Sequence, residues 1–327
     1  MDHLRWGILG AAKFAREHMG PAIHAARGAE LVAIASRSPD KIADFQSFAP
    51  QCRAVEGYDA LLEDTGVDAV YIPLPNPLHA PWTIKALQAG KHVLVEKPAA
   101  LHASDFDAMI AARDKAGPLL AAEAYMIVHH PQWQRVKALI SDGAIGALRH
   151  IAGAFSFDNS ADTANIRNQA GMGGGALRDI GVYVFGSARF VTDEEPEITG
   201  ARLRMEKDFD TFADIQAIFP SGVTYSAYVS TRMFATQSME FHGSRGLIRL
   251  TAPFNPNVYD AARIELHQPK QGVRVERFPA VNQYVSQVEA FSKAARTGAD
   301  YAPSLAFSRG TQAMIDRVLE IGDRLDG

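Results

Sequence analysis

Over its first 122 residues the chain alternates short apolar runs with helix-like segments, and this alternation restricts the fold more than any other feature. Apolar runs at residues 4–10, 30–36, 68–73, 92–95 and 119–123, with a weaker one near 53, read as six strands. Between them, a stretch reaching about residue 27, one from 38, and stretches at 58–63, 77–89 and 103–116 read as helices. Pro39 stands near a first turn, and Gly90 and Gly117-Pro118 close two of the helices. Strands separated by helices build parallel crossover units, so a doubly wound parallel sheet with helices on both faces is expected.

The texture changes after a helical stretch at 131–141. Residues 211–219, 223–231 and 238–242 read as longer strands, with tight connections at Pro220-Ser221-Gly222 and Gly243-Ser244-Arg245-Gly246. Alternation along Val223 to Val229 gives a sheet with two unlike faces, hence an α+β domain on a large, mostly antiparallel open sheet. Helical stretches at 282–296 and 304–325 close the chain. The expected class is α/β with two domains, 1–122 and 123–327, and 327 residues suffice for two cores.

Charge and composition exclude several functions. With 33 basic and 37 acidic residues and no dense Lys/Arg cluster, there is no nucleic-acid footprint. No apolar run approaches the ~20 residues that span a bilayer, and the start, Met1 to Trp6, lacks a signal-peptide layout. Cys52 is the only cysteine, which suits a reducing cytoplasm. The eleven histidines are scattered, and His129-His130 has no metal-ligand spacing, so no metal is expected.

The junction of the first strand and helix reads Trp6-Gly7-Ile8-Leu9-Gly10-Ala11-Ala12-Lys13-Phe14-Ala15. As a dinucleotide fingerprint, Gly10 makes the tight turn and Ala12 stands where a second glycine usually admits pyrophosphate. Ala11 lies between them, Phe14 follows, and Ala15 allows close helix–strand packing. At the end of strand two, Ser36-Arg37 replaces the carboxylate that would accept from a ribose 2′-hydroxyl. A hydroxyl and a guanidinium suit a 2′-phosphate. One charge-assisted hydrogen bond, ~1.5–3 kcal/mol, would favour NADP over NAD by roughly ten- to a hundred-fold. The loop after strand four carries Pro73, Pro75, Asn76 and His79, a stiff segment where a nicotinamide ribose would lie; Asn76 is equally read as a helix cap.

Strand five ends in Val93-Leu94-Val95-Glu96-Lys97-Pro98. Three apolar residues suit a strand buried on both faces. Lys97 then emerges at the carboxyl end of the sheet, where open α/β folds bind ligands. Pro98 stops the strand. A second constellation, Gly171 to Tyr183, begins with a glycine run that admits close approach and continues into a helix. Asp179 and Tyr183, four apart, share one face of it. Hydride transfer at a carbinol needs a proton acceptor, and a tyrosine beside an ammonium can serve.

In this order and spacing the motifs resemble the glucose-fructose oxidoreductase/inositol dehydrogenase/rhizopine catabolism (Gfo/Idh/MocA) oxidoreductases. The carrying residues are Gly10-Ala11-Ala12, Pro75-Asn76-Pro77-Leu78-His79, Glu96-Lys97-Pro98, and Gly173 through Tyr183. Residues 71–82 and Asn165-Ile166-Arg167-Asn168 resemble the branch holding dihydrodiol dehydrogenases and NADP-dependent D-xylose dehydrogenases. The resemblance implies a Rossmann domain over 1–122 and a substrate-binding, oligomerising domain over 123–327. It implies that Lys97 hydrogen-bonds the reacting oxygen, that a cis peptide precedes Pro98, and that Tyr183 is the acid/base; Asp179 is expected to position both Lys97 and Tyr183. Asn165, Arg167, Tyr125 and Arg178 are the expected substrate contacts. Ile127 and Val128 depart from the aromatic and Arg common in relatives, and Arg178 from an apolar or aromatic residue. A sugar, cyclitol or diol is the expected substrate, NADP the cofactor with NAD as alternative, and a homodimer or homotetramer through the C-terminal sheet the assembly. The same fold also admits a redox-cycling NAD-dependent glycosidase and a non-catalytic nucleotide sensor.

Overall fold

A computed structural model describes residues 3–36 and 40–325. Two compact units divide the chain: residues 1–129 with 282–309, and 130–281 with 310–327.

The first unit holds six parallel strands: β1 (Leu4–Leu9), β2 (Ala29–Ala35), β3 (Arg53–Val55), β4 (Ala69–Ile72), β5 (His92–Val95) and β6 (Ala121–Glu123). Their order is β3-β2-β1-β4-β5-β6. The order reverses at β1, so loops after β1 and β4 leave the same edge, as the doubly wound pattern requires. The helices are α1 (Gly20–Ala25), α2 (Asp40–Gln46), α3 (Tyr58–Glu63), α4 (His79–Gln88) and α5 (Ala103–Lys115). Strands Ala69–Ile72 and Val93–Val95 are buried throughout, which explains their unbroken apolar runs. One difference from the expected helix is a π-helical stretch at Ala15–Met19, before α1.

The second unit begins with α6 (Pro131–Ser141), β7 (Leu148–Asp158) and α7 (Val182–Thr192). Strands β8 (Glu197–Glu206), β9 (Phe209–Ile218), β10 (Thr224–Ser230), β11 (Arg232–Gly243), β12 (Leu247–Leu250), β13 (Arg263–Gln268) and β14 (Gly272–Arg277) follow. Two helices, α8 (Gln283–Thr297) and α9 (Leu305–Ile321), and a short β15 (Asp323–Arg324) end the chain. The nine-stranded sheet runs β14-β13-β12-β11-β7-β10-β9-β8-β15 and is antiparallel except for β10 on β7 and β15 on β8. One face packs on α6 and α7, where Trp133 stands against Phe241 and Phe254, and Phe185 against Tyr225. Strands β7, β8, β12–β14 and β15 were not expected from the sequence, although β8, β13 and β14 alternate apolar with charged residues (Arg263-Ile264-Glu265-Leu266 in β13).

The division differs from a single cut after residue 122. Helix α8 returns to the first unit, because its apolar stripe of Val288 and Phe291 joins the core beneath β1. Phe291 stands 5.1 Å from Trp6, whose indole Nε1 donates to Ser292 Oγ at 3.1 Å. Residues 123–129 stay in that unit too, where the His129 ring stacks on Tyr301. Periodicity marks α8 as amphipathic; it does not say which sheet the apolar face covers.

Candidate active site

In the first unit, the turn after β1 is tight: Gly10 has φ +105°, and its N–H donates to Ala35 O at 3.0 Å. A Cβ at Gly10 would meet Leu74 and the Tyr58 hydroxyl. Ala11 and Ala12 are half-buried, and Ala15 is fully buried under the helix. A helix beginning behind small residues offers its unpaired N–H groups to a diphosphate, so this turn fits a dinucleotide. Phe14 packs on His18 and Tyr284, with ring centroids 4.9 and 5.6 Å away. Ser36 follows β2 and donates its N–H to Val55 O at 3.2 Å. Arg37, on which the 2′-phosphate reading rests, lies outside the described residues.

The loops after β4 and β5 are braced together. Pro75 occupies the cap position of a 3-10 turn, Asn76–Leu78, so Asn76 is its first residue and not its cap. Pro73 is half-buried beside it. His79 is 1% exposed, with Nδ1 2.8 Å from Pro98 O and Nε2 2.6 Å from Leu74 O. Burial pushes its imidazole below the ordinary range. His79 therefore ties the two loops from beneath, where a direct cofactor contact was expected.

Lys97 emerges at the carboxyl end of β5, and the Lys97–Pro98 peptide is cis. Glu96 accepts from the Tyr71 hydroxyl at 2.6 Å and from Lys97 N at 3.0 Å. Glu123, at the end of neighbouring β6, accepts from Ala99 N at 2.8 Å and is buried, which raises its carboxyl pKa. Two strand-end carboxylates thus hold the backbone on both sides of Lys97. Glu123 escaped the sequence reading, although an acid closing an apolar strand is the same signal that marked Glu96. Tyr125 is 1% exposed and packs on Phe307, so it is a core residue here and not the expected substrate contact.

In the second unit, the segment Leu177–Gly181 is π-helical and runs into α7. Asp179 and Tyr183 therefore straddle a π-to-α junction, a distortion frequent at functional sites, where one regular α-helical face was expected. Tyr183 is 5% exposed, between Phe155 and Phe254 with both centroids 5.6 Å away. Asp179 Oδ2 accepts from Arg167 Nε at 2.5 Å. Arg167 belongs to a braced loop: Asn165 Oδ1 accepts from Arg167 N at 3.1 Å and from Nη1 at 3.4 Å, and Asn165 Nδ2 donates to Asp162 at 3.1 Å. Asp179 and Arg167 thus orient each other, which spacing alone does not indicate. Arg178 is half-buried, and its Nε has no acceptor among the described residues. Phe155, Phe254 and Asp210, which accepts from Leu177 N at 2.8 Å, also escaped the sequence reading; the segments around them show nothing unusual in isolation.

A dinucleotide-type sheet with a braced lysine at its carboxyl end, and a tyrosine and carboxylate at a distorted helix start, define a class: nicotinamide-dependent oxidoreductases. Residues 4–124 match the model of an oxidoreductase family with an NAD-binding Rossmann fold, and residues 133–249 match the GFO/IDH/MocA C-terminal domain. The dTDP-3,4-didehydro-2,6-dideoxy-alpha-D-glucose 3-reductase of Streptomyces violaceoruber is 37% identical, covering 98% of this chain and 94% of the relative. The D-xylose 1-dehydrogenase (NADP(+)) 2 of Haloferax volcanii is 32% identical over 90% of each chain. The crystal structure of KijD10, a 3-ketoreductase from Actinomadura kijaniata in complex with NADP and TDP-benzene, superposes with TM-score 0.91 at 32% identity, covering 99% of both chains. The chain belongs to the Gfo/Idh/MocA oxidoreductase family. It is an NAD(P)-dependent dehydrogenase or reductase acting on CH–OH groups. No helix among the described residues is long and apolar enough to cross a membrane.

Proposed function

We propose that the protein transfers hydride between NADP and a carbonyl or carbinol carbon of a sugar, with nucleotide-linked deoxysugars joining free aldoses, cyclitols and diols as candidate substrates. The observation that supports this most is the end-to-end likeness to a ketoreductase crystallised with NADP and a TDP compound. Other crystals of that enzyme carry a lysine replaced by alanine or glutamate, or a tyrosine replaced by phenylalanine, the two residue types assigned here.

The Gly10 turn would hold the diphosphate of NADP and Ser36 and Arg37 its 2′-phosphate, and its nicotinamide would supply the hydride acceptor or donor. In oxidation Tyr183 takes the hydroxyl proton while the Lys97 ammonium stabilises the developing alkoxide. The carbinol C–H bond breaks and its electron pair leaves with the hydride as the carbonyl forms; reduction runs in reverse. Asp179, held by Arg167, orients the proton-transfer group, and Asn165 braces that loop beside the sugar. Arg178 is assigned to the substrate as well.

The enzyme works in the cytoplasm as a homodimer or homotetramer joined through the nine-stranded sheet. Exposed Met233 and Phe234, the latter 92% exposed, support such a surface.

A panel of aldoses, cyclitols, diols and dTDP-linked keto sugars, assayed at 340 nm with NADPH and NADH and with their oxidised forms, tests the reading. Turnover with at least one sugar and preference for the phosphorylated cofactor are expected. Glycosidic cleavage without net absorbance change would identify a redox-cycling glycosidase. Tight NADPH binding with no turnover on any member would identify a sensor.

A further inference from the structure

The Asp179–Tyr183 segment begins without a cap of its own. First-turn N–H groups of a helix need acceptors, yet Ala176, in the cap position, has no side chain to offer one. The acceptor arrives from β9: Asp210 Oδ2 takes the Leu177 N–H at 2.8 Å, and the carboxylate is 2% exposed. Room for it comes from Gly175, at φ +119°, where a Cβ would collide with Asp210 Oδ1. The same glycine donates its N–H to Arg167 O at 3.0 Å. At Gly174 a Cβ would lie within 2.8 Å of the carbonyl oxygens of Ile166, Arg167 and Gln169. One buried carboxylate therefore stands where the Arg167 loop and the Asp179–Tyr183 helix meet.

A buried carboxylate is expensive beside an apolar residue of similar size. Here burial outweighs the backbone N–H groups and Arg178, and pushes the carboxyl up to about 6. Ala176 is itself right-handed helical (φ −69°, ψ −40°), where a side-chain cap needs extended backbone, so the acceptor for Leu177 has to come from another strand. Tyr183 lies six residues beyond Leu177, wedged between Phe155 and Phe254, so a shift of the helix start has to be absorbed at its ring.

We propose that Asp210 is a positioning residue: by accepting from Leu177 N beneath the Gly175 turn, it sets where Asp179 and Tyr183 stand. The proposal rests on Tyr183 as the proton-transfer group; absence of turnover in the parent enzyme would defeat that assignment, whereas the comparison below concerns Asp210 only.

The test compares Asp210→Asn, Asp210→Ser and Asp210→Ala with the parent, kcat being normalised to folded protein by NADPH fluorescence titration. Asparagine keeps an acceptor for Leu177, so kcat should stay within about threefold. Serine and alanine withdraw it, and kcat should fall tenfold or more while KM for the sugar moves less than threefold and NADPH affinity is unchanged. Amide exchange over residues 176–183 should accelerate in the same two variants, a readout independent of turnover. Parent-like kcat and exchange in Asp210→Ala would overturn the proposal, as would equal losses in Asp210→Asn and Asp210→Ala. If neither serine nor alanine variant folds, Asp210 serves folding and the proposal is likewise overturned.

Discussion

At the residue scale, the proposed chemistry divides between an ammonium held by backbone bracing and a phenol held by aromatic walls. Glu96 and Glu123 accept from the backbone N–H groups of Lys97 and Ala99, which braces the chain around Lys97. General acid–base groups contribute typically about 10²–10⁴-fold. We therefore expect Lys97→Ala and Tyr183→Phe each to lower kcat by about that range, with NADPH affinity by fluorescence titration within twofold of the parent. Normal turnover in both would sink the assignment. Arg167 offers a finer test, since it pairs with Asp179 at 2.5 Å but is more than a third exposed. Solvent weakens such a pair to about 0.2–1 kcal/mol, so Arg167→Ala should cost kcat no more than about fivefold; a large rise in KM alone would mark Arg167 as a substrate contact only.

At the element scale, strand ends and helix starts do most of the placing. Gly10 holds φ +105° in the turn that fits a diphosphate, a conformation L side chains adopt only under strain of ~1–2 kcal/mol. Gly10→Ala should lower stability by about that amount in urea unfolding and weaken NADPH binding; a stable variant with parental affinity would show that the turn tolerates a side chain. The strand-end motifs were legible because a parallel sheet puts every strand's carboxyl end at one edge. The π-helical Leu177–Gly181 was not: its first N–H finds its acceptor in Asp210, 33 positions from Leu177, and nothing in the local sequence marks that partner. Among the six unanticipated strands of the large sheet, β7 shares that cause. Residues 148–158 include Arg, His, Gly and Asp, and form β7 only because β10 and β11 flank them.

At the scale of the whole molecule, both units bury neutral histidines. Burial holds His129 and His130 down to about 4. The His130 ring accepts from Gln132 N at 3.1 Å at the start of α6, a bond that needs an unprotonated Nδ1. Between about 6.5 and 4 the unfolded chain binds protons that these rings refuse, so stability is present above that window and is lost as pH falls through it. Asp210, raised to about 6, acts with opposite sign and gains stability between about 6 and 4. Each of these three shifts is worth about 3 kcal/mol. Glu123, raised by burial, acts with Asp210, while His79, His92 and His150, lowered by burial, act with His129 and His130. Five histidines stand against two carboxyls, so the urea midpoint should drop between pH 7 and pH 4.5; a flat or rising midpoint would contradict these burials. Assembly is tested at the same scale. Phe234→Asp places a charge at the most exposed aromatic and should shift light-scattering mass toward the monomer; unchanged mass would remove Phe234 from the proposed interface.

Local order along the chain was enough for the sheet of the first unit, the class of the second, and the dinucleotide and lysine motifs. Hydrophobic period, glycine turns and strand-end polarity are properties of neighbouring residues, and they survive in a linear reading. Tertiary structure alone decided that α8 returns to the first core, that His79 and Tyr125 lie beneath the surface, and that Arg167 pairs with Asp179. It likewise decided that Asp210 closes the tyrosine helix from another strand. Each of these depends on which apolar face finds which partner, and on where a buried polar group finds its hydrogen bond, and separation along the chain carries no record of either.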